Sequence, residues 1–128
     1  MIFVKTPLIL TRAFPDMIWH FTRHLTDKYL HLTFDDGPTP EVTHWVLDKL
    51  AEYRAKATFF CLGRNVEKNP DIYQRILEEG HAVGNHIYSH LKGWMVDRSE
   101  YIDDIKLAGE FIASRLFRPP YGDRKSVV

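Results

Sequence analysis

Cysteine is nearly absent. Cys61 is the single one in 128 residues, so an intrachain disulfide framework is excluded. Its neighbours, ATFFCLG, read as a buried strand with the thiol as a small hydrophobe. Long apolar runs are missing too. The stretches flanking Lys5 and Pro7 are too short for a signal-peptide core and far too short to cross a bilayer. The expectation is a chain with no membrane span, cytoplasmic by default. Charge of one sign is lacking: 17 basic residues balance 17 acidic ones. That removes the electrostatic case for a nucleic-acid or membrane-surface partner and suits a neutral substrate. No repeat or low-complexity tract interrupts the chain. With 45% apolar residues it has material for one packed core.

Residues 1–28 show no clean period. Phe14, Met17, Ile18, Trp19 and Phe21 suggest a short packing segment. Tyr29–Phe34 reads as a strand ended by Asp-Asp-Gly-Pro. A helix is predicted from Thr39, with Thr39 as cap and Pro40 at the first position, to about Tyr53. Its apolar stripe is expected to hold Val42, Trp45, Val46 and Leu50. Ala57–Leu62 is a nearly continuous apolar run, as in a parallel strand buried on both faces. A helix from Asn69 to Gly80, a short strand His81–Asn85 and a helix from about Ser99 follow. Leu116–Arg118 reads as the start of a fourth strand. Strands alternating with helices imply an α/β fold with a parallel sheet, whose chemistry gathers at the C-terminal strand ends.

Three motifs fall at those ends. TFDDG (Thr33–Gly37) presents two adjacent carboxylates, Asp35 and Asp36. Side by side they repel, so they need a cation or separate tasks. HIYSH (His86–His90) presents two imidazoles four residues apart, able to reach one metal. Alone, each is weak: DDGP is also ordinary turn chemistry, and paired histidines are often decoration. The position after the first His is Ile87, where a zinc protease of the H-E-x-x-H type needs Glu. Together, two imidazoles and one carboxylate suit one divalent ion with a position left for water. The neighbouring carboxylate would act as base, and such an ion brings a bound water's pKa to roughly 7. The third motif, RPPY, offers Arg118 to hold the base carboxylate in orientation. A backbone N–H past its Pro-bordered turn would receive an oxyanion.

These motifs, in this order, resemble those of the NodB-homology polysaccharide deacetylases, carbohydrate esterase family 4. Its patterns T-F-D-D-G, H-[ST]-x-x-H and R-x-P-[YF] correspond to TFDDG, HIYSH and RPPY. KATFFCLG and GHAVGNH also look like the family's second and third strands. The resemblance runs from about Tyr29 to Gly122. It implies a distorted (β/α) barrel of which residues 29–128 are the N-terminal portion, following an N-terminal packing segment at 1–28. It further implies Asp35 as catalytic base and Asp36, His86 and His90 as ligands of one divalent metal, most often zinc with cobalt or nickel as alternatives. Arg118 would position the base. Tyr121 would offer its backbone N–H to the oxyanion and its ring to the groove, with Pro120 beside it. The implied activity removes N- or O-acetyl groups from the sugars of a polysaccharide or oligosaccharide.

Two departures qualify the match. Ile87 stands where the family has Ser or Thr, which implies a looser His pair. The family's later motifs, among them an L-x-H whose His is the general acid, find no counterpart. His20, His24, His31, His44 and His81 all precede RPPY and are expected to be surface or helix residues. The expectation is therefore a partial barrel with an open apolar edge, prone to self-association and impaired in turnover. The alternative is a catalytically inactive remnant that retains a metal- or carbohydrate-binding site.

Overall fold

The computed structural model describes residues 8–13, 15 and 30–123, which fall in two compact units, 1–30 and 31–128. In the first, Leu8–Ala13 forms a six-residue helix, α1, with Leu8 and Ile9 exposed. Leu8–Leu10 is too short an apolar stretch to reveal it by helical period. The expected packing residues Phe14, Met17, Ile18, Trp19 and Phe21 lie outside the described residues.

The second unit runs β1 (Leu32–Asp35), α2 (Val42–Glu52), β2 (Ala57–Cys61), α3 (Gly63–Lys68), α4 (Pro70–Glu78), β3 (Ala82–Asn85) and α5 (Arg98–Gly109). Short 3-10 turns occupy Gly93–Met95 and Pro120–Gly122. The strands form one parallel sheet in the order β1-β2-β3, with Phe34 opposite Phe59 and Phe59 opposite Val83. β2 is central and almost wholly buried, which explains its unbroken apolar sequence. The predicted fourth strand contributes a single parallel bridge, Asn85 to Phe117. The outer edge of β1 has no partner strand among the described residues.

One core joins Leu47 and Leu50 of α2, Phe59 and Cys61 of β2, Val66 of α3, Ile76 of α4 and Ile112. Burial pushes the Cys61 thiol up to about 12, so it is an inert hydrophobe. A second cluster gathers Leu62, Ile87 and Tyr101 beneath the C-terminal strand ends.

Three expectations are corrected. First, α2 starts at Val42 rather than Thr39. Val42 N–H donates to Pro40 O at 2.6 Å and Glu41 takes φ 61, so Pro40-Glu41 forms a turn that the helix cannot include. Second, its buried face is Thr43, Leu47 and Leu50, while Val42 and Trp45 are exposed. The helix is apolar on two faces, and periodicity could not choose between them. The second face, with Trp45 and Val46, lines a groove of about 260 Å³ beside Leu32 and Phe34 of β1. Third, His81 is neither on the surface nor in a helix: its side chain is 1% exposed. Its Nδ1 accepts the Ala57 N–H at 3.3 Å, which leaves the proton on Nε2, 3.8 Å from a Glu79 oxygen.

Burial, with the nearby Lys56 charge, lowers the His81 pKa. The unfolded chain then binds more protons than the folded one below the ordinary pKa of about 6.5. This contribution to stability is complete above that pH and is lost as pH falls below it. A His81→Gln variant is expected to show a shallower decline of urea midpoint on acidification than the parent. In the same way Gly63 is closely packed: a Cβ there would lie 2.9 Å from the Ala108 backbone and 2.7 Å from the Tyr88 ring. Gly63→Ala is expected to cost about 1–3 kcal/mol in urea unfolding, by overpacking α3 against α5.

Candidate functional site

The strand ends carry all three motifs to one face. β1 ends on Asp35, and Asp36 then turns with φ 67 while its carbonyl accepts the Asn65 side-chain N–H at 2.7 Å. Beyond β3, His86 N–H donates to Cys61 O at 2.9 Å, so His86 is fixed by the same sheet. Asn85 joins the third motif to it: Asn85 N–H donates to Leu116 O, and Arg118 N–H donates to Asn85 O. The Asn85 side chain, also buried, accepts the Ile87 N–H at 2.7 Å and donates to Ile105 O at 3.0 Å.

Asp36, His86 and His90 face one another. Asp36 Oδ1 lies 3.5 Å from His86 Nε2 and 3.2 Å from His90 Nε2. Three ligand atoms of this set lie within 4.8 Å of one another. Around a tetrahedral zinc with bonds of about 2.1 Å, neighbouring ligand atoms stand about 3.4 Å apart. The His86 Nδ1 sits 2.6 Å from the Arg118 carbonyl, which can only accept, so Nδ1 carries the proton and Nε2 turns its lone pair to Asp36. The residues therefore fit a divalent cation.

Asp35 faces a different partner. Arg118 Nη1 donates to Asp35 Oδ1 at 2.7 Å and to Thr33 Oγ1 at 3.0 Å. The pair is about one third exposed, so its value is orientation rather than stability. The guanidinium also lies 4.0 Å above the centre of the Phe60 ring. That ring rests on Gly84, where a Cβ would come within 2.5 Å of it. Only glycine at 84 lets Phe60 lie where Arg118 needs it. Adjacent residues thus take separate tasks, Asp36 with the imidazoles and Asp35 with the guanidinium.

Ile87 does not leave the histidine loop loose. It is fully buried against Leu62 and Tyr101, and the loop is tied elsewhere: one oxygen of Asp104 accepts both the Tyr88 and Ser89 N–H groups at 2.9 Å. Four of the six non-glycine residues with positive φ among the described residues are Asp36, Ile87, His90 and Tyr121. Such conformations cost on the order of 1–3 kcal/mol each and concentrate at functional sites. Tyr121 is half exposed and sets its ring edge-on to His90 at 5.0 Å. Pro120, expected to line a groove beside it, is instead fully buried beneath the turn. Sequence reasoning missed Asn85, Phe60 and Asp104. Asn85 and Phe60 sit in recognisable phrases, but nothing in IDDI distinguishes Asp104 from its exposed neighbour Asp103.

Residues 22–128 match the family model described as polysaccharide deacetylase. The chain belongs to that family. A peptidoglycan-N-acetylglucosamine deacetylase from Bacillus cereus is 48% identical over 98 residues, covering 72% of this chain and 36% of that protein. A chitooligosaccharide deacetylase from Rhizobium leguminosarum bv. trifolii is 44% identical over 88 residues, 69% of this chain and 41% of its own. Among solved structures, a family 4 carbohydrate esterase from Streptomyces lividans in complex with acetate superposes with a TM-score of 0.72 at 32% identity, covering 77% of this chain and 54% of that one. This chain is thus similar to a NodB-homology deacetylase domain of carbohydrate esterase family 4, over about a third to a half of the relatives' length. Its parallel strands alternating with helices are a part of their barrel.

Asp104 is expected to matter to the loop that carries the candidate ion ligands His86 and His90, without touching an ion. Asp104→Ala should lower zinc affinity about 10–100-fold in a calorimetric titration, the usual penalty for removing a group that orients metal ligands.

Proposed function

We propose that this polysaccharide deacetylase domain hydrolyses acetyl groups from N-acetylated sugars of a glycan, with zinc held by Asp36, His86 and His90. The observation that carries this reading is the division of the adjacent carboxylates, Asp36 facing two imidazoles and Asp35 facing Arg118. The similarity to deacetylases of peptidoglycan and chito-oligosaccharides supports the substrate class.

A zinc ion at that site supplies acidification of a water molecule and polarisation of the acetyl carbonyl. Asp35 takes the proton from the attacking water, held in line by Arg118. The water oxygen bonds to the acetyl carbon, and the backbone N–H of Tyr121 meets the charge that develops on the carbonyl oxygen. The carbon–nitrogen bond then breaks, acetate departs, and the proton that Asp35 took from the water passes to the sugar nitrogen, which leaves as an amine. His86 holds its Nδ1 proton on the Arg118 carbonyl and so stays in the tautomer that binds.

A second reading, a binding module without turnover, is favoured by the orientation of both imidazoles. Each faces Asp36, so neither is left to act as the acid for the leaving nitrogen.

Acetate release from acetylated chito-oligomers separates the two. The proposal expects turnover that is abolished by chelation, restored by zinc and lowered about 10²–10⁴-fold in Asp35→Asn. It expects Asp36→Ala to lose zinc. Zinc binding without any acetate release establishes the binding module, and turnover that survives Asp35→Asn overturns the assigned base.

A further inference from the structure

The 3-10 turn Gly93–Met95 holds an indole in the open next to the candidate site. Trp94 is 62% exposed, although burying so large an apolar ring would be favourable. Gly93 seats the turn in the fold by its burial, and Met95 N–H closes the turn on Lys92 O at 2.8 Å. The indole meets the Tyr121 ring edge-on at 5.3 Å, and Tyr121 in turn meets His90 at 5.0 Å. A row of three rings therefore leads from the proposed zinc ligand out to the surface. Lys92 Nζ lies 5.6 Å from the centre of the Tyr121 ring, so the cation sits on Tyr121 and the indole is the larger free platform.

A fixed, exposed aromatic face continuous with a catalytic site suits a ligand that is flat, apolar on its faces and polar at its rim. A pyranose ring has that form: its axial C–H groups stack on the indole, and its hydroxyls remain at the edge. Pre-setting the ring spares the ordering cost that a mobile side chain would incur on binding. We propose that Trp94 is a subsite for a second sugar ring of an extended glycan, a neighbour of the ring whose acetyl group faces Asp35. This rests on the deacetylase reading of the site. It makes the domain selective for oligomers and polymers over single sugars.

Equilibrium binding to the zinc-loaded chain tests it, with N-acetylglucosamine, its tetramer and a muramic-acid-containing glycan tetramer as probes. Trp94→Ala is expected to weaken binding of tetramers about 10-fold, as removal of an aromatic anchor does, while zinc affinity and monomer binding are unchanged. Loss on both tetramers means that the indole reads the shared pyranose face; loss on one alone identifies the glycan it serves. Trp94→Phe should restore most of the affinity. Tetramer binding that is unaltered in Trp94→Ala, absent in the parent, or reduced no more than that of the monomer overturns the subsite. Because binding is read separately from acetate release, failure of the deacetylase reading leaves this result interpretable, and turnover with no role for Trp94 removes the subsite alone.

Discussion

Asn85 is the node on which the site depends. Its backbone pairs with the segment carrying RPPY, and its side chain ties the start of the histidine loop to α5. Four hydrogen bonds from one buried residue thus set the spacing between motifs more than thirty residues apart. A buried amide in such a place is costly unless all its partners are met, and here they come from three separate segments. The Arg118 carbonyl that fixes the His86 tautomer is the next group along the same path. The second motif is therefore oriented by the backbone of the third.

The face built on this node combines strain with anchoring. Asp36, Ile87, His90 and Tyr121 adopt left-handed backbone conformations that cost energy. The first three are held against relaxation. Asn65 grips the Asp36 carbonyl, the cluster of Leu62 and Tyr101 encloses Ile87, and Asp104 holds the two amides that lead to His90. Ile87 secures its part of the histidine loop by apolar packing against Leu62 and Tyr101. The side chains of Asn85 and Asp104 accept the loop's backbone N–H groups at Ile87, Tyr88 and Ser89, so the side chain at 87 is free to be a hydrophobe.

Much of this was legible before any coordinates. β2 could be read from its apolar run because a central parallel strand has no polar face. The motifs could be placed at strand ends because Gly-Pro and Pro-Pro stop the strands there. The helices were less legible at their starts and faces. α2 carries apolar residues on two sides, so periodicity alone could not say that Leu47 and Leu50 enter the core while Trp45 remains in an open groove. α3 has a single apolar residue, Val66, inside and so no period to detect. His81 carried no mark of burial; it is buried because its ring accepts the Ala57 amide at the start of β2.

The sequence by itself determined the chemistry available: two carboxylates, two imidazoles, a guanidinium and an aromatic, ordered along an alternating α/β chain. Those residue types are local, and short motifs preserve them. Only the tertiary structure decided their division of labour. Asp35 and Asp36 are chemically identical neighbours, and the backbone turn at Asp36 sends one side chain to the histidines and leaves the other to Arg118. The same holds for Phe60, Asn85 and Asp104, whose roles arise from contacts with distant segments and leave no trace in spacing. Direction and partnership are properties of the packed chain, because they depend on which strand end meets which loop.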